Sequence, residues 1–106
     1  MATVTPTFNE ITGGVQIIKW VLANGDSGAQ VSLAAWPDKT VQIIGGTNVD
    51  MEGSNDGGTT WSPLTKPDGT ALTDAVPGMY VISGNPAALR PASATGSVTV
   101  IVSATR

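Results

Sequence analysis

The order of apolar and polar positions along the chain is that of short strands. In residues 15–22, Ile18, Trp20 and Leu22 share one parity, and Val15, Ile17 and Val21 share the other, with Lys19 as the interruption. Side chains alternate across a strand, so these two sets fall on opposite faces. The expectation is a strand that is apolar on both sides, either central in its sheet or covered by a partner. Its β-branched content and the flanking Gly13-Gly14 and Asn24-Gly25 favour strand over helix.

A weaker strand is expected over residues 29–34, closed by the turn Trp36-Pro37-Asp38. Extended structure resumes over 40–44, and Gly45-Gly46 permits a bulge or a sharp bend. The cleanest alternation follows: Thr47, Val49 and Met51 against Asn48, Asp50 and Glu52. That strand presents one face inward and an acidic face to water. Residues 79–83 and 97–103 complete the set; in the latter Val98, Val100 and Val102 face the core and Ile101 breaks the pattern. Residues 86–89 read as a single turn at most, and nothing supports a long helix. The fold expected is all-β, a β-sandwich or small β-barrel of six to seven short strands.

Two spans are less regular. Residues 1–8, with Pro6 among small and β-branched neighbours, read as an extended N-terminal arm on a single β domain spanning 9–106. Residues 63–77 carry three prolines and the turn Pro67-Asp68-Gly69, so a long loop is expected there.

Composition narrows the chemistry. The 106 residues include no His and no Cys, which removes an imidazole base, an imidazole metal ligand, a thiol nucleophile and a disulfide framework. Only 12% are charged, about half the usual share of roughly 25%, while Gly, Ala, Ser and Thr make up 47 of them. A surface of small neutral groups can lie against another protein without stranding buried charges. The basic residues Lys19, Lys39, Lys66, Arg90 and Arg106 form no stripe, so nucleic acid is not an expected partner. The longest apolar run is far short of the ~20 residues that span a bilayer, and the start lacks the pattern of a secretory signal. A soluble chain without membrane or nucleic-acid partners is expected.

The sharpest local motif is Ser54-Asn55-Asp56-Gly57-Gly58-Thr59-Thr60-Trp61. It matches the Asp-box pattern S-x-D-x-G-x-T-W at Ser54, Asp56, Gly58, Thr60 and Trp61. Short polar side chains bond nearby backbone N–H groups in such turns, and glycines supply positive φ. The reading is a structural hairpin. Asp boxes are known from sialidase-like propellers, but one copy in a chain this short makes no propeller. Asp50, Glu52, Ser54, Asn55 and Asp56 offer hard oxygen donors, yet without the spacing of a calcium loop, so no metal and no cofactor are expected. Six of the eight acids lie in or beside turns, and little chain is left to wall a pocket, so no enzymatic activity is expected.

In these residues the chain resembles small virion proteins of tailed bacteriophages. The resemblance is carried by residues 49–64 around the hairpin and by the loop Pro67-Asp68-Gly69-Thr70-Ala71-Leu72. It extends to Asn85-Pro86-Ala87-Ala88-Leu89-Arg90-Pro91 and the terminal β-run 98–102, in all about half the chain. It implies a capsid decoration, or cement, protein: a homotrimer on the capsid exterior that bridges major capsid proteins. The interface residues expected under that reading are Val4, Thr5 and Phe8 of the arm and Trp36 as an anchor. The alternatives are a tail-tube, tail-completion or head-tail connector subunit and, in another class, a carbohydrate-binding module using an exposed Trp36.

Overall fold

The computed structural model describes residues 2–11 and 13–106. Among the described residues ten strands form: β1 (Thr3–Val4), β2 (Thr7–Ile11), β3 (Val15–Leu22), β4 (Ser27–Gly28), β5 (Asp38–Ile44), β6 (Asn48–Ser54), β7 (Ser62–Pro63), β8 (Gly78–Val81), β9 (Ala88–Thr95) and β10 (Val98–Thr105). One layer is a five-stranded sheet in the order β2-β3-β10-β5-β8, antiparallel throughout. The other is built on β7-β6-β9. Its far side continues through β4, because Gly25 N–H bonds Ala94 O, Ala94 N–H bonds Asp26 O, and Val31 bridges Leu89. The parallel pair β1-β4 then forms the outer margin of this layer.

The fold is an all-β sandwich, as the alternation predicts. Inward parity on β3, β5 and β10 gives Ile18, Trp20, Leu22, Val41, Ile43, Val98, Val100, Val102 and Ala104, all buried. They meet Val49 and Met51 of β6, Leu89 and Ala94 of β9, and Leu64, Leu72, Ala75 and Ile82 from the connections. Trp20 is the largest side chain in this core and fully buried. Its indole N–H donates to Ala29 O at 3.0 Å, which satisfies the one polar group that burial would otherwise strand. The ring lies so close to β4 that a Cβ on Gly28 would sit 2.5 Å from it. Gly28 is therefore what lets the two layers approach at this point.

Two connections cross between layers at a single corner. Gly45-Gly46 carries β5 into β6, and Gly96-Ser97 carries β9 into β10. Thr47 N–H bonds Thr95 O at 2.8 Å across the corner, and a Cβ on Gly96 would lie 3.0 Å from the Gly46 Cα. Both glycines hold positive φ, 66° and 80°, a conformation that side chains disfavour. The continuous segments β5–β6 and β9–β10, paired with each other on both sides of the corner, thus bend together where glycine fits.

The strands exceed the six to seven expected because β1, β4 and β7 are two-residue pairings with no period to read. Residues 29–34 make only an isolated bridge at Val31 rather than a strand. Residues 86–89 are not a turn, since the chain enters β9 at Ala88. β9 escapes a hydrophobic reading because Ala88, Ala92 and Ala94 are small and Pro91 interrupts the run. Proline is tolerated here beside a bulge, where Ser93 holds φ 54° and the β6–β9 register shifts. Residues 2–8 are extended, and their backbone pairs within the chain: Ser27 N–H bonds Ala2 O, Ala29 N–H bonds Val4 O, and β2 pairs β3.

Candidate interaction surface

Register places the outward residues of the five-stranded sheet in rows. Lys19, Ile101, Gln42 and Met79 lie side by side across β3, β10, β5 and β8, with Thr7 of β2 at the end. Ile17, Ser103, Thr40 and Val81 form the next row, and Val21, Thr99 and Ile44 form another. Val21, Ile44, Met79 and Val81 are 63%, 44%, 64% and 53% exposed. Across β3, β10, β5 and β8 the charged members of this face are Lys19 and, at its margin, Asp38. Contiguous exposed apolar surface on a small protein marks a contact site.

The opposite layer has a different exterior, wired to itself. Ser54 Oγ accepts from Gly58 N–H at 3.0 Å and Asp56 N–H at 3.3 Å, and donates to Asp56 Oδ1 at 2.7 Å. Asp56 Oδ1 also accepts from Thr59 N–H at 3.1 Å and Thr60 N–H at 2.9 Å. These donors, the Thr60 backbone N–H first and then the Ser54 hydroxyl, hold the Asp56 carboxyl down to about 2. Trp61 folds back so that its indole N–H bonds Gly58 O at 3.0 Å. The Arg90 guanidinium stacks 4.2 Å above the Trp61 ring and pairs with Glu52 at 3.0 Å. The structure thus gathers Ser54, Asp56, Gly58, Thr60 and Trp61 into one turn. An open cleft of about 410 Å³ beside it is floored by Leu64, Pro63 and Pro86 and edged by Ser54, Asp56 and Thr60.

The oxygen donors of this region serve separate ends. Asp50 accepts from Asp74 N–H at 2.7 Å, Glu52 holds Arg90, and Asp56 caps its own turn. Among the described residues, no three His, Cys, Asp or Glu side chains come together as a metal-binding group.

The residues singled out as interface positions are scattered. Val4 is half-buried against the core, whereas Thr5 is exposed. Phe8 is 59% exposed on the edge strand β2. Trp36 is half-buried against the core with the Arg106 guanidinium 5.2 Å above its ring, and its buried indole N–H lacks a partner among the described residues. It is not a free stacking platform.

Three features escaped the sequence reading. Lys39 lies buried on the inward parity of β5, and its ammonium donates to Asn85 Oδ1 while Asn85 Nδ2–H bonds Ala34 O at 3.0 Å. Desolvation lowers its pKa, with neighbouring Asp38 opposing the shift. The shared parity of Lys39, Val41 and Ile43 was the available signal. Asp26 is likewise inward, accepting from Ala2 N–H at 2.9 Å and Ala23 N–H at 3.0 Å. The exposed group Val76, Met79 and Val81 on and beside β8 had no signal short of knowing that β8 is a sheet edge.

No protein-family model and no curated protein matches the chain. Solved structures do resemble it. A cupin protein from Desulfovibrio desulfuricans aligns at TM-score 0.56 and 12% identity, over 97% of this chain and 82% of that one. A cupin-domain protein from Bordetella pertussis aligns at 0.54 and 15%, over 98% and 93%. The SPBc2 prophage-derived protein YomS aligns at 0.57 and 14%, over 92% of this chain and all of YomS. At such identities the likeness is one of fold.

That fold corrects one expectation. The sequence predicts no enzyme, in part because 106 residues leave little chain to wall a pocket. Its fold neighbours are mostly cupin-type chains, and that architecture hosts enzymes as well as binding proteins. Chain length is therefore no ground for excluding catalysis.

Proposed function

We propose that the chain is a structural subunit of a tailed-phage particle. It acts as a decoration (cement) protein on the capsid exterior, bound through the outer face of its five-stranded sheet and bridging major capsid proteins. The observation that carries this reading is the face itself: Val21, Ile44, Met79 and Val81 stand exposed among Thr, Ser and Gln with hardly a charge. Desolvating such a surface strands little charge. The fold shared with the prophage-derived YomS supports the placement among phage proteins, as does the resemblance carried by residues 49–64. Thr5 and Phe8 are the members of the expected interface set that remain open to a partner.

The physical effect is mass action. A subunit that binds only the expanded shell makes disassembly less favourable by the free energy of its binding. The test is to add the purified chain to expanded heads lacking it and count copies in the sedimented particles. Hundreds of copies per head, lost on Val21→Glu, are expected. Absence of binding, or six to twelve copies as for a connector, overturns the reading.

A further inference from the structure

The edge of the five-stranded sheet at β8 is open, and we propose that it pairs with β8 of a second copy of this chain about a two-fold axis through Tyr80. The inference concerns self-association, through the β8 edge of the same sheet whose outer face is proposed above to bind the shell.

Register defines what is free. β8 pairs β5 through Val81 with Thr40, Tyr80 with Val41, Met79 with Gln42 and Gly78 with Ile43, and Ile82 N–H bonds Lys39 O just beyond. In an antiparallel ladder the backbone groups of alternate residues point to opposite sides. Those of Ile82, Tyr80 and Gly78 point to β5, and those of Met79 and Val81 point outward. Past the end of the strand that outward side is taken, because Ser83 N–H bonds Thr65 O at 2.8 Å. At the other end stands Pro77, which has no N–H to offer and where the chain bends. The free run is therefore bounded on both sides and centred on Tyr80.

An antiparallel copy centred on Tyr80 places Met79 opposite Val81 of the second chain and Val81 opposite its Met79. Each such pair exchanges both of its hydrogen bonds. Both N–H and both C=O groups of Met79 and Val81 are then satisfied, with none left over. The same register brings side chains exposed by 64% and 53% into contact on one face of the joined sheet. Val76, 56% exposed, flanks the junction.

The strand itself carries no charge, and the Lys66 ammonium is held against the Tyr80 ring, 5.8 Å from its centroid. No charged residue occurs from Ala75 through Leu89, whereas sheet edges that must stay single are usually guarded by Lys, Pro or a bulge within the strand. The contact is isologous, the commonest kind in homo-oligomers. It gives a two-fold assembly in place of the homotrimer that the phage resemblance implies.

The absence of cysteine makes the register directly testable. Met79→Cys and Val81→Cys chains are prepared separately, and their oxidation is followed alone and after mixing. In the proposed register Cα atoms of opposed residues lie about 5.5 Å apart, within disulfide reach. The mixture is expected to form a two-chain disulfide species, and each variant alone far less. Equal self-crosslinking of either variant overturns the register. A monomer or trimer mass for the unmodified chain in sedimentation equilibrium overturns the pairing. Val81→Lys is exposed and should fold normally by circular dichroism, yet raise the dimer dissociation constant at least about tenfold by burying a charge. Val21→Glu lies on β3, with β10 and β5 between it and β8, and is expected to keep the dimer mass while losing head binding, which separates the two proposals.

Discussion

The two layers of the sandwich share one core and treat their outer sides in opposite ways. Outside β6 and β9, polar groups are consumed locally: Asp56 and Ser54 wire a turn, Arg90 holds Glu52 and covers Trp61, and Asp50 accepts from Asp74. The outer side of β3, β10, β5 and β8 has Val21, Ile44, Met79 and Val81 in the open, with the hydroxyls of Thr40, Thr99 and Ser103 between them. The difference follows from the connections. The loops at 55–61 and 64–77 supply partners to the β6–β9 layer, while Val21 of β3 and Ile44 of β5 stand exposed on the five-stranded sheet. One exterior has its polar groups paired within the chain; the other leaves apolar side chains exposed.

If this contrast holds, substitutions should sort by layer and by side. The largest loss belongs to the shared core. Trp20→Ala empties the centre and should cost about 3–5 kcal/mol, lowering the calorimetric midpoint by more than about 10 °C. A small effect there would mean that the core is not common to both layers.

Next is the self-wired turn. Ser54→Ala removes a buried hydroxyl that both donates and accepts, for an expected loss of about 1–2 kcal/mol. Amide exchange should quicken at Gly58 and Thr60. Unchanged exchange would break the claim that this exterior is internally satisfied.

Lys39 tests the interior from the other direction. Replacement of a buried charge by a similar apolar shape is often stabilising, so Lys39→Met should gain about 1 kcal/mol at pH 7 in chemical denaturation. The folded pKa lies below the model-peptide value of 10.5, so the unfolded chain holds the proton more tightly. The parent's stability then rises with pH between its folded pKa and 10.5. The advantage of the variant should shrink over that window.

The turn has a pH signature of the same sign, at the acid end of the scale. Asp56 is depressed from 3.8 to about 2, so its stabilisation is complete above 3.8 and is lost as pH falls through about 2. The Thr59 and Thr60 amide resonances should follow that midpoint. A midpoint near 3.8 would remove Asp56 from the turn's wiring.

The smallest stability effect is expected on the bare face. Val21→Ser should change stability by under about 0.5 kcal/mol while weakening attachment to heads. A large loss of stability would show that this face is already part of the fold.

Much of the first layer was legible in the chain because period-2 patterns mark long strands with one buried side. The double-sided apolarity of residues 15–22 was the most informative single signal, since Ile18, Trp20 and Leu22 are buried while Val21 is open. The second layer was read less well. β4 and β7 are too short to show a period, and β9 is built from alanines around Pro91. The turn at 54–61 could be read because its bonds are local, made by side chains to amides a few residues away. Interface positions could not be ranked in the same manner. Whether Val4, Thr5, Phe8 and Trp36 are open depends on strands far away in sequence, and the open edge at β8 exists only once β5 is known to be its neighbour.

The place of β10 has a consequence for how the molecule is made. This strand follows all the others in the chain yet fills the centre of its sheet, between β3 and β5. Until the ribosome releases Val98–Thr105, those two have no common neighbour and the apolar sides they share remain wet. Closure must then await long-range pairing, a slow step that lasts milliseconds to seconds in β-rich domains. Without β10 the five-stranded sheet falls into the separate pairs β2–β3 and β5–β8, and the outer rows that run across it lose their middle.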